Sequence, residues 1–121
     1  MRDDYGGPIF YGRRKGRPLS IGMQSLLADM LPGLRFNKKQ TLARQFDQLA
    51  DLVLEIGFGR GEHLADLAEA NPKTNFIGAE PFLNGVASLL KHIRMRNLSN
   101  IRIWDDDVRL ILPALPAACL V

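Results

Sequence analysis

Glu55-Ile56-Gly57-Phe58-Gly59-Arg60-Gly61 sets a carboxylate two residues ahead of three alternating glycines. Glycines in such a loop let the backbone turn sharply and let a ligand approach closer than any Cβ permits. Two ligand classes use a loop of this kind. A dinucleotide site wants Gly-x-Gly-x-x-Gly, with pyrophosphate resting on the following helix N-terminus. Here the third glycine's place holds Glu62, and Glu62 and Glu55 would both repel a pyrophosphate. S-Adenosylmethionine has no phosphate but carries an ammonium, a carboxylate and a sulfonium. An acid beside the loop suits its cationic end, and the N–H groups around Gly57, Gly59 and Gly61 suit its carboxylate. A turn that merely needs glycine is the bland alternative, and Glu55 at a strand end weighs against it.

A nucleoside ligand calls for an acid some 20 residues later, at the end of the next strand, to accept both ribose hydroxyls. Glu80 stands 19 residues after Gly61 and closes Phe76-Ile77-Gly78-Ala79-Glu80. Nicotinamide enzymes place an acid there too, so Glu80 points to a nucleoside without choosing between them. After a third strand come Asp105-Asp106-Asp107. A carboxylate there can accept the adenine amino group, and an adjacent N–H can donate to the ring. Asp107 equally suits a helix N-cap, and three acids in a row otherwise suit a solvated turn.

These residues need elements to position them. Asp51 to Ile56 reads as a short apolar strand, Gly61 to Ala70 as a helix, and Asn75 to Glu80 as a second strand. Leu83 to Arg96 reads as a helix, Asn100 to Trp104 as a third strand, and Val108 to Leu112 as the start of another helix. Strand–helix–strand–helix–strand with short links implies parallel strands joined by right-handed crossovers. The expected fold is therefore α/β, the first half of a doubly wound parallel sheet. Upstream, Met23 to Leu31 has helical spacing stopped by Pro32-Gly33, and Leu42, Phe46 and Leu49 mark an amphipathic helix over 38–49. Residues 1–20 carry Gly6, Gly7, Pro8, Gly12, Gly16 and Pro18 among basic residues, which is arm or loop chemistry. The division expected is a basic arm and lead-in helix at 1–37, then the nucleoside-binding half-domain at 38–121.

Residues 1–50 hold nine Lys/Arg against four Asp/Glu, whereas residues 51–121 hold seven against nine. A basic arm ahead of a mildly acidic domain suits a polyanionic partner for the arm, with a solubilising tail as the alternative. One cysteine, Cys119, excludes an internal disulfide, and His63 and His92 are too few for a structural metal site. No apolar run approaches the roughly 18–20 residues of a membrane span, and no apolar leader opens the chain. Cytoplasm is the expected compartment.

With these residues assembled, the chain resembles the bacterial tRNA (guanine-N7)-methyltransferase family. Three segments carry the likeness: Tyr11-Gly12-Arg13-Arg14-Lys15-Gly16-Arg17, Leu54 to Glu62, and Asn75 to Glu80 continued by Gly85-Val86 and Asn97 to Arg102. The resemblance implies a Rossmann-like fold and S-adenosylmethionine as cofactor. It implies cofactor contacts at Glu55, Gly57, Gly59, Gly61, Glu80 and Asp107, with Asp106 sharing the adenine site, and tRNA contacts at Arg13, Arg14, Lys15 and Arg17. Members continue into a Pro-Asp-Pro-Trp stretch bearing the catalytic aspartate. This chain stops at Val121, so the expectation is a truncated chain without a catalytic residue, inactive alone and open to self-association at an exposed sheet edge. The rival readings are a methyltransferase of another substrate, a nicotinamide dehydrogenase, and a non-catalytic nucleic-acid-binding fragment.

Overall fold

The computed structural model describes residues 18–116. Helix α1 (Ile21–Asp29) opens on Ser20, whose side chain accepts from Met23 N at 3.1 Å. It ends at Met30, earlier than expected. Pro32 does not stop it; Pro32 lies in the first turn of the short helix α2 (Leu31–Leu34), where a missing N–H breaks no hydrogen bond. The helix expected over 38–49 shrinks to α3 (Leu42–Gln45). Leu42 is half-buried and Phe46 buried, as the spacing demanded, but Leu49 is 86% exposed and gives a longer helix nothing to bury. Buried Arg102 also takes the Gln45 carbonyl at 2.7 Å, which an advancing helix would have used.

Strands β1 (Leu52–Ile56), β2 (Asn75–Ala79) and β3 (Ile101–Trp104) form one parallel sheet in that order. Helices α4 (Glu62–Ala70) and α5 (Leu83–Arg96) make the two crossovers. Every residue of β2 is buried, as befits the middle strand of a sheet covered on both faces. One face packs Phe58, Leu64, Phe76, Leu89, Leu90 and Ile101 against Leu26 and Leu31 of the lead-in. The other packs Leu54 and Ile77 under Phe36, Phe46 and Ile111. This is an α/β architecture, a three-stranded parallel sheet with helices packed on it, consistent with a Rossmann-like fold.

The helix expected from Val108 is replaced by two 3₁₀ turns, Val108–Leu110 and Leu112–Ala114. Pro113 inside the second cannot donate to a continuing α-helical ladder. The lead-in also makes a contact that no local pattern announced. Arg35 forms a parallel bridge with Ile103, and Phe36 N donates to Ile103 O at 2.8 Å. The outer side of β3 is thereby partly covered. On the opposite side, β1 pairs with β2 alone among the described residues, as the open-edge expectation required.

Candidate cofactor site

The glycine loop leaves β1 and turns back over the ends of the strands. Gly57, Gly59 and Gly61 all have positive φ, at 70°, 63° and 85°, backbone that L side chains rarely adopt. Gly57 N donates to Ala79 O at 2.7 Å, fastening the loop to the end of β2. A second fastening comes from α5. A Cβ on Gly85 would lie 2.1 Å from Gly59 O, so loop and helix touch backbone to backbone.

Glu80, 6% exposed, is the third fastening. One carboxylate oxygen accepts from Gly59 N at 2.8 Å and the other from Phe82 N at 3.2 Å. Each oxygen keeps lone-pair capacity for a further donor. A vicinal diol could therefore be added without displacing the loop. Glu80 also stands in the wall of a cavity of about 560 Å³ with Gly59, Arg60, Phe82, Gly85 and Ser88.

Glu55 lies near the end of β1, in register with Gly78. Its Oε1 is buried and has no hydrogen-bond partner among the described residues. A buried carboxylate oxygen left without a donor costs free energy, on the order of 1–3 kcal/mol. Such an orphan suits an incoming cation, and the ammonium of S-adenosylmethionine meets that description. On this observation the residues present fit the group.

Asp106 and Asp107 line a smaller cleft of about 170 Å³ with Ile56, Ala79, Pro81 and Val108, beside the ends of all three strands. Asp106 Oδ1 accepts from Asp107 N at 2.7 Å. The Asp107 carboxylate caps the following turn by accepting from Arg109 N at 2.9 Å, and it also pairs with the Arg109 guanidinium. Hydrogen bonds from Arg109 hold the Asp107 carboxyl below its ordinary pKa. The capping role anticipated for Asp107 is thus observed.

A model for a family described as putative methyltransferase matches residues 50–120, which include the loop, Glu80 and the acidic turn. The chain belongs to that methyltransferase family. Curated relatives agree with the likeness drawn from the motifs. A tRNA (guanine-N(7)-)-methyltransferase of Rhodospirillum rubrum is 46% identical over 92% of this chain and 47% of its own length. Namesakes from Paramagnetospirillum magneticum and Agrobacterium fabrum are 45% and 46% identical, over 93% and 88% of this chain and 50% and 48% of theirs. The chain spans about half the length of the curated relatives it matches. A solved antibiotic-related methyltransferase overlaps it with a TM-score of 0.46 at 18% identity, covering 86% of this chain and 44% of that one.

The structure brings most of the expected residues to one end of the sheet. Gly59 and Glu80 are hydrogen-bonded, Gly57 is tied to Ala79, and Asp106 and Asp107 line the smaller cleft with Ile56, whereas Glu55 is in the wall of neither cavity. Gly61 stands apart, buried under α5, where a Cβ would meet Leu89 at 2.7 Å. Glycine there lets the loop lie directly against α5. Arg13, Arg14, Lys15 and Arg17 lie outside the described residues, as does Cys119. Pro81 and Val108 were missed as cleft walls, although their places beside Glu80 and Asp107 could have suggested them. Asp105, grouped with a solvated turn by its acidic neighbours, is buried and paired with Arg35.

Proposed function

We propose that the chain is the cofactor-binding half of a cytoplasmic tRNA (guanine-N7)-methyltransferase that uses S-adenosylmethionine. The observation that carries this reading is the orphaned oxygen of Glu55 beside a glycine loop clamped by Glu80, in a chain 45–46% identical to enzymes bearing that name. Bound there, S-adenosylmethionine supplies an electrophilic methyl group. Glu55 would hold its ammonium, loop N–H groups its carboxylate, Glu80 its ribose, and Asp107 with Asp106 its adenine. Guanine N7 carries a lone pair and no proton, so no base is needed to create the nucleophile. The protein's task is alignment and charge placement. No catalytic residue is assigned within residues 1–121. No helix among the described residues is long and apolar enough to cross a membrane.

Titration calorimetry tests the reading. S-Adenosylmethionine should bind the chain, NADH should not, and Glu80→Ala should weaken binding by about 2–4 kcal/mol, less where water replaces the carboxylate. Labelled cofactor mixed with unmodified tRNA and the chain alone should give no transfer above a protein-free control. Tight NADH binding, or equal cofactor affinity in Glu80→Ala, would overturn the assignment.

A further inference from the structure

Residues 30–46 contain Arg35, Lys38, Lys39 and Arg44 and no Asp or Glu. Lys38, Lys39 and Arg44 are exposed, and none of the three has an ion-pair partner among the described residues. The segment that carries them is ordered by its own chemistry. Gln45 reaches back across the turn: its Oε1 accepts from Asn37 N at 2.6 Å, and its Nε2 donates to Asn37 O at 2.7 Å and Gln40 O at 3.0 Å. Asn37 Oδ1 accepts from Lys39 N at 2.9 Å. Both ends are sunk in the core through Phe36 and Phe46, which are 2% and 6% exposed. The Arg102 guanidinium sits over the Phe46 ring at 5.0 Å.

Beside this turn runs a groove of about 340 Å³ whose walls include Arg35, Phe36, Lys38, Lys39 and Trp104. The Trp104 indole N–H donates to Asp107 O at 2.8 Å, so the groove backs onto the turn assigned to adenine. Unpaired cations on a pre-ordered turn lose little conformational freedom on meeting a partner. Their charge complements a phosphate backbone, and their place puts that backbone next to the cofactor cleft. We infer that Lys38, Lys39 and Arg44 form a second phosphate-binding surface for the substrate RNA, distinct from the arm at residues 13–17. This rests on the tRNA reading above.

The test compares unmodified tRNA binding by the chain and by Lys38→Gln/Lys39→Gln/Arg44→Gln across a salt series. A control carries Lys73→Gln/Lys91→Gln/Arg94→Gln, three other exposed cations. The first variant should lower the log–log salt slope by about two to three units and low-salt affinity at least tenfold or so. The control should keep slope and affinity, and S-adenosylmethionine affinity should hold in both. Equal losses in both variants would reduce the surface to bulk charge and overturn the inference. So would an unchanged slope in the first variant while the wild type binds tRNA. A wild type that binds cofactor but no tRNA would overturn the tRNA reading itself, and this inference with it.

Discussion

Arg35 grips Asp105 with two parallel hydrogen bonds, Nε to Oδ1 at 2.9 Å and Nη2 to Oδ2 at 3.1 Å, joining the end of the lead-in to the end of β3. The Asp105 side chain is 10% exposed and that of Arg35 47%. The pair matters mainly because it satisfies a buried carboxylate next to Asp106 and Asp107. The hydrogen bond to Asp105 raises Arg35 above its ordinary pKa, so its charge persists at any working pH. Removing Arg35 takes these two donors from the carboxylate. Arg35→Ala should therefore cost about 1–2 kcal/mol in urea unfolding, the guanidinium's half-exposure limiting the loss. Adding Asp105→Asn should cost much less than the separate effects combined. Strict additivity would mean the pair contributes nothing.

Gly85 gives a cleaner test of how the loop is held. A Cβ there would lie 2.1 Å from Gly59 O, a backbone atom that cannot swing aside as a side chain would. Gly85→Ala must push the loop off α5, at a cost of about 1–3 kcal/mol, and cofactor affinity should fall with it. Around Gly33, in α2, no other part of the described residues comes within 4 Å of an added Cβ, its chain neighbours and own helix backbone aside. Gly33→Ala should leave stability unchanged or raise it by up to about 1 kcal/mol. Equal melting temperatures for wild type and Gly85→Ala would show that Gly59 is not pinned.

The parts of the fold that were legible in sequence are those fixed by near neighbours. The boundaries of β1, α4, β2, α5 and β3 fell within a residue of expectation, because each apolar run or stripe ends at a glycine, proline or polar cluster. The glycine loop and Glu80 were readable for the same reason. What escaped depends on distant partners. Nothing near Arg35 announces a bridge to Ile103, and nothing near Asp105 announces burial. The helix over 38–49 was misjudged because spacing alone could not tell that Leu49 has no surface to cover. Glu80 stood out in the sequence by its place at a strand end, but nothing local announced that it holds Gly59.

Glu55 separates stability from binding. Its buried Oε1, without a partner among the described residues, is a cost to the free protein that a bound cation would relieve. Glu55→Gln keeps the shape and removes the charge. The variant should unfold at the same or slightly higher denaturant, a gain of up to about 1 kcal/mol, while cofactor affinity falls at least roughly tenfold. A drop in both stability and affinity would make Glu55 a structural residue instead.

The open side of β1 yields the last prediction. Asn75 N donates to Asp51 O and Gly57 N to Ala79 O. In a parallel ladder this alternation turns the N–H and C=O groups of Leu52, Leu54 and Ile56 away from β2. No described residue pairs with them as a strand, and Ile56 is 47% exposed. Residues 111–115 do not cover this side: Ile111 and Leu115 pack onto the sheet face with Leu54 and Ile77. Unpaired backbone beside apolar side chains invites another strand. The chain should therefore show a concentration-dependent dimer by sedimentation, with slowed amide exchange at Leu52, Leu54 and Ile56. Ile56→Lys should shift the equilibrium toward monomer by adding charge at the edge. A monomer at all concentrations with fast exchange at those three amides would overturn edge pairing. A monomer with slow exchange there would assign the cover to this chain's own residues.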